Sequence, residues 1–209
     1  MIRINNNTAK TMEFTSFKTK QNVTEEHLFA SVRDFEVALS KQEGINVHFL
    51  VRNDSNDYAN VIFAASMYHL IQLKNNLELM VEARSLFELI DIQSVKIEYH
   101  EIQKEYFQIP NDFICIEKGT FSLKNIEDIT RLRAISDAIE VDYLHNFDNT
   151  KAHFVATVDE NKYSEITFGQ TVIATRNICK GYVEDPSCQI LLEIADEKTF
   201  ELDFWSLVL

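Results

Sequence analysis

The chain is poor in residues that mark several common protein classes. Only four Gly and two Pro occur among 209 residues, which sets aside fibrous, low-complexity and disordered chains. The three cysteines, Cys115, Cys179 and Cys188, are odd in number and form no CxxC pair. Neither a disulfide framework nor a zinc knuckle is expected, and a reducing cytoplasm fits best. Positive charge is also short, with 20 Lys and Arg against 33 Asp and Glu and a net charge of −13. Nucleic acid and anionic membrane surfaces need basic residues to neutralise phosphate, so neither is an expected partner. No window approaches the roughly 18 apolar residues of a membrane span, and MIRINNNTAKT lacks the apolar stretch of a secretory signal. There is no P-loop, Gly-rich dinucleotide fingerprint or nucleophile elbow.

What the chain does have is a repeat. An offset of 105 residues aligns His48-Phe49 with His153-Phe154, Tyr58 with Tyr163, Phe63 with Phe168 and Asp91 with Asp196. An offset of 104 aligns Phe17 with Phe121 and Leu28 with Leu132, so one residue is gained between the first helix and the second strand. A self-similar period of this kind is the sign of a tandem duplication.

Each copy predicts the same order of elements. MEFTSFKTK alternates like a strand, and Thr24 followed by Glu25 and Glu26 is a helix start. Leu28, Val32, Phe35 and Leu39 share one helical face, with a stop at Gly44. VHFLV and YANVIFAA flank the turn residues Asn53 to Asp57 as a hairpin. A second helix follows with a break, marked by Pro186 opposite Val81, and SVKIEYHEI is the last strand. The order is βαββαβ, the ferredoxin-like arrangement. The expected fold is therefore α+β: two ferredoxin-like repeats packed sheet to sheet as an α/β barrel, an intramolecular pseudo-dimer, because a sheet with helices on one face must cover the other. The expected boundaries are a disordered lead-in over 1–11, a first repeat over 12–102, a linker over 103–111 and a second repeat over 112–209.

At TSFKTKQNVTEEHL, NDYANVIFAAS and ARSLFELIDIQSVKIEYHEI the first copy resembles the antibiotic-biosynthesis-monooxygenase-like superfamily of dimeric α/β barrels. The resemblance implies a range of roles: cofactor-independent oxygenases of aromatic substrates, haem-degrading monooxygenases, isomerases and proteins of unknown role. The haem-degrading branch implies an Asn, a Trp and a His at positions that correspond here to Phe14, to Ala64 or Ala65, and to Lys74 or Asn75. All three depart, so haem degradation is not expected and no cofactor is assigned.

Strand alternation selects the candidate site. His48 lies opposite Phe49, and Tyr58 and Asn60 lie opposite Val61 and Phe63; Glu98 and His100 alternate with Val95, Ile97 and Tyr99. In the second copy, His153 and Asp203 occupy matching rows. These rows are expected to face the space between the sheets or its mouth, with Val95, Ile97 and Tyr99 under the helices, and a ligand site is expected in the first copy, between its sheet and first helix or at the inter-sheet mouth. His48 and Tyr58 are the candidate catalytic pair, a base and a phenol for a small aromatic ligand. Asn60, Glu98, His100, His153 and Asp203 are the candidate ligand-binding residues. No short ligand spacing supports a metal. Two functions remain: a cofactor-independent monooxygenase or related enzyme acting on a small aromatic molecule, and a non-catalytic binding or assembly protein that kept the barrel. The same polar set could equally be a network that holds the fold in register.

Overall fold

The computed structural model describes residues 1–209. Met1–His100 and Leu207–Leu209 form a first unit, and Glu101–Ser206 form a second. The first contains β1 (Ile2–Arg3), β2 (Thr11–Thr19), α1 (Glu25–Leu39), β3 (Ile45–Asn53), β4 (Tyr58–Ala64), α2 (Met67–Leu77), α3 (Val81–Phe87) and β5 (Ile90–Ile102). Its strands run in the order β1-β3-β4-β2-β5. The Thr24 side chain accepts from the His27 amide at 3.2 Å and starts α1. Leu28, Val32, Phe35 and Leu39 are buried on one face of that helix, each worth roughly 1.5–3 kcal/mol. Gly44 has φ +73°, and a Cβ there would come within 2.2 Å of the His69 ring, so only glycine fits.

Residues 1–11 are ordered, not a disordered lead-in. Ile2 and Arg3 pair with His48 and Val47. Asn46 is fully buried and donates from Nδ2 to Asn5 Oδ1 at 2.8 Å and to Asn7 O at 3.1 Å. A buried amide needs such partners, and the polar run before β2 supplies them.

The second unit contains β6 (Cys115–Phe121), α4 (Ile129–Ala138), β7 (Thr150–Asp159), β8 (Lys162–Gly169), α5 (Val172–Lys180), α6 (Pro186–Ile194) and β9 (Glu201–Leu207), with strand order β7-β8-β6-β9. The expected helix break is present in both copies, and Asp185 caps α6 with Pro186 in its first turn. α4 widens into a π turn over Ile139–Tyr143. The segment expected as a linker belongs to this unit: the Gln103 amide donates to Val155 O at 3.0 Å, and Phe107 packs edge-on to Phe154 at 4.6 Å. His48 pairs with Ile62 and His153 with Thr167, so the register of the two hairpins is the same.

No helix is long and apolar enough to cross a membrane. Both faces of the first unit's sheet are buried: Phe17, Leu50 and Ile62 join the core under the helices, while Met12, Phe14, Phe49, Val61 and Phe63 are buried on the other face.

Candidate functional site

Alternation along β2 points Glu13, Thr15 and Phe17 the same way. With Asn60 of β4 and Val95 and Ile97 of β5, Glu13 and Thr15 line a cavity of about 180 Å³, which is closed from the helices by Phe35, Leu77 and Phe87. Phe87, Ile92 and Ile97 are exposed and form an apolar mouth. Glu13 is the only ionisable residue lining it and is 8% exposed. Burial pushes its carboxyl upward from the ordinary range. The Thr15 hydroxyl, which donates to Oε1 at 2.8 Å, the charges of His48 and Lys74, and the Tyr99 phenol all work against that rise.

Asn60 is held from behind. His48, fully buried, places Nε2 3.1 Å from Asn60 Oδ1 and Nδ1 3.0 Å from Glu36 Oε1 on α1. Burial pushes the Glu36 carboxyl up, but the His48 hydrogen bond and charge, with the amino terminus 3.6 Å away, outweigh it and hold the group below its usual range. Asn60 Oδ1 is turned to His48 Nε2, and the Asn60 Nδ2 hydrogens are left for the cavity.

The second unit has an equivalent cavity of about 210 Å³, with Glu117 at the position of Glu13. Its chemistry differs. Glu165 replaces Asn60, and its Oε1 lies 2.7 Å from His153 Nε2 and 2.9 Å from the Tyr182 hydroxyl, which donates to it. The counterpart of Glu36, Glu140, sits in the π turn and pairs with Lys104 instead. Burial and the neighbouring Glu165 charge push Glu117 up to about 8.

The structure separates several of the residues chosen from sequence. His48 and Asn60 come together, but on the helix side of the sheet. Phe35 of α1 packs edge-on to His48 at 5.8 Å, which corrects the expectation that this row faces the space between the sheets and puts the pair at the other expected location, between the sheet and the first helix. Tyr58 lies at the end of the hairpin, where its hydroxyl donates to Glu25 at 3.1 Å and its ring stacks on Phe17 at 6.0 Å, and it does not line the cavity. Glu98 and His100 alternate with Val95 and Ile97 and so point away from it; His100 is fully buried. His153 and Asp203 belong to the second unit. Asp203 does not line its cavity, which Phe200, Glu201 and Leu202 border. As expected, Val95 and Ile97 are on the helix side. Both faces of the sheet are buried, so apolar character alone could not tell one row from the other.

Glu13, Thr15, Glu36, Glu117 and Tyr182 were not selected from sequence. The signal for two of them was there: the 104-residue offset that aligns Phe17 with Phe121 also aligns Glu13 with Glu117.

No protein-family model and no curated protein matches the chain. Solved structures match over nearly all of it. A candidate monooxygenase from Fusobacterium nucleatum has a TM-score of 0.68 at 10% identity, covering 97% of this chain and 94% of its own. An anthrone oxidase-like protein has a TM-score of 0.63 at 12% identity, covering 100% and 94%. A ferredoxin-fold protein from Listeria monocytogenes, related to antibiotic biosynthesis monooxygenases, has a TM-score of 0.54 at 9% identity, covering 96% of each chain. Heme-binding and heme-degrading proteins also match. At these identities the likeness establishes the fold, the ferredoxin-like α/β barrel of the antibiotic-biosynthesis-monooxygenase-like proteins, and not an activity.

Proposed function

We propose that the first unit binds a small aromatic phenol or enol in the cavity above Glu13 and acts on it as a cofactor-independent oxygenase. The observation that carries this reading is a buried carboxyl, raised in pKa, at the floor of an otherwise apolar cavity beside an amide oriented by a Glu36-His48-Asn60 chain. A cavity of about 150 Å³ takes benzene, so the space suits one ring or slightly more. Glu13, when ionised, is a stronger base than an exposed carboxylate and takes the substrate proton. Asn60 Nδ2 donates to the oxygen on which negative charge develops. The resulting carbanion forms a C–O bond with dioxygen and recovers the proton from Glu13 as a hydroperoxide, and loss of water then leaves a ketone. The anthrone oxidase-like neighbour supports an aromatic substrate by analogy of fold.

Binding without turnover is a second reading. It is favoured by the hydrogen bonds that Glu13 already receives from Thr15 and Tyr99, which make it a weaker base. Titration of the full chain with single-ring phenols, together with an oxygen electrode, separates the two. The oxygenase reading requires oxygen uptake that Glu13→Gln abolishes while binding persists. Binding with no uptake in the parent chain leaves the second reading. If no aromatic probe binds, or if Asn60→Leu leaves binding unchanged, both readings fail.

A further inference from the structure

We infer that the second unit's cavity is a site for a small organic ammonium ion with an aromatic or apolar body. The inference comes from comparing two cavities built on the same strands. Around Glu13 stand a hydroxyl donor, Thr15, a phenol, Tyr99, and the charge of Lys74. At the matching positions around Glu117 stand Gly119, Phe204 and Cys179, while Asn60 has become Glu165. Two donors and a cation are thus removed and a carboxylate is added.

Glu117 is left with the Cys179 thiol as its hydrogen-bond partner, although it is only 5% exposed and lines the cavity. A thiol is a weak donor, and a buried carboxyl so poorly served is costly unless it is protonated or meets a cation. The walls suit such a cation. Phe121 and Phe200 pack at 5.7 Å, and Tyr182 completes an aromatic surface that attracts positive charge. Glu201 also borders this cavity, but its carboxylate is turned to the Thr120 hydroxyl, which donates to it at 3.4 Å.

An ammonium group that enters beside Glu117 displaces its proton, because the carboxyl, held up at about 8, is protonated at neutral pH. The groups acting on Glu117 are Glu165 on β8, itself bonded to His153 on β7, and Cys179 on α5; Tyr182, following α5, and Glu201 on β9 line the same space. None of these supplies a fixed positive charge; Arg176 on α5 lies over the Phe204 ring, 4.9 Å from its centroid.

The test uses the full chain, with benzylammonium as the cation and benzyl alcohol as its neutral counterpart, by calorimetry at pH 7 in two buffers of different ionisation enthalpy. Benzylammonium should bind at least about tenfold more tightly and release a proton. Glu117→Gln, which keeps shape and removes the charge, should abolish both the preference and the proton release. Cys179→Lys, which reinstates the first unit's cation, should do the same; if it does not fold, Glu117→Gln decides. Glu13→Gln should leave the preference intact. Equal affinity for the two probes, no benzylammonium binding, an unchanged preference in Glu117→Gln, or its loss in Glu13→Gln would each overturn the inference.

Discussion

His153 Nε2 lies 2.7 Å from Glu165 on the adjacent strand, whereas its equivalent His48 turns Nδ1 to Glu36 on a helix at 3.0 Å. The duplication has thus kept a buried histidine-carboxylate pair and moved the carboxylate from one element to another. Removing one partner of a buried pair is costly, about 3–5 kcal/mol, because the other is left uncompensated.

The exchange predicts a coupled pair of substitutions in the first unit. Glu36→Gln leaves His48 without its acid, and Asn60→Glu crowds a third carboxylate against Glu13 and Glu36. Together they recreate the arrangement of the second unit. The double variant should be more stable, by roughly 1–3 kcal/mol, than the sum of the single effects requires. Urea denaturation of all four proteins measures this; strict additivity would mean that the two carboxylate positions are not alternatives.

The repeat, both hairpins, the helix break and the apolar helix face were legible in the sequence, because each rests on local chemistry: Thr24 as a cap, Asn53 to Asp57 as a turn, Pro186 as a helix start. The site was only partly legible. His48 and Asn60 were found, but their direction was not, since in a sheet buried on both faces Phe49 and His48 are equally concealed. Glu13 went unread because a carboxylate in a strand ordinarily marks the solvent side, and its burial depends on helices distant in sequence.

Glu117 and Glu36 predict opposite pH effects on stability. Glu117 rises from 4.5 to about 8 on folding, so the folded chain binds its proton more tightly. Its contribution is greatest below the unfolded value and is lost as pH rises from there through the folded value, by an amount on the order of 5 kcal/mol. Glu36, held low, contributes above the unfolded value and loses that contribution as pH falls. Denaturation midpoints at pH 5 and pH 9 should therefore show Glu117→Gln gaining on the parent chain at pH 9. A parallel pH dependence for the two proteins would contradict this assignment.

The cysteines should be slow to react. Burial pushes Cys115 up, and burial with a thiol-raising set of acids pushes Cys188 up to about 12. Cys179 is partly exposed, yet burial and the Glu117 carboxyl push it upward as well. The thiolate is the reacting species, so Ellman's reagent at pH 8 should label the native chain far more slowly than a free thiol and should count all three cysteines only after denaturation. Fast native labelling of Cys179 would show that its thiol is not tied to Glu117.

Gly119→Thr should give Glu117 the donor that Glu13 has. Thr15 donates to Glu13 at 2.8 Å from the equivalent position, two residues along the same strand. A Cβ at 119 meets only Glu165 O and Leu202 Cδ1, both at 3.8 Å, and the position has no positive φ, so the side chain enters without forcing the backbone. A hydroxyl that donates to the ionised carboxylate favours that form. The Glu117 pKa should fall from about 8 by roughly one unit, equivalent to about 1.4 kcal/mol, as read from the carboxyl carbon shift in an NMR titration. The same change should reduce the proton release on benzylammonium binding at pH 7, because more of the carboxylate is already ionised. If the titration does not move while the chain remains folded, the missing donor is not what holds Glu117 protonated, and the charge of Glu165 becomes the cause to test with Glu165→Gln.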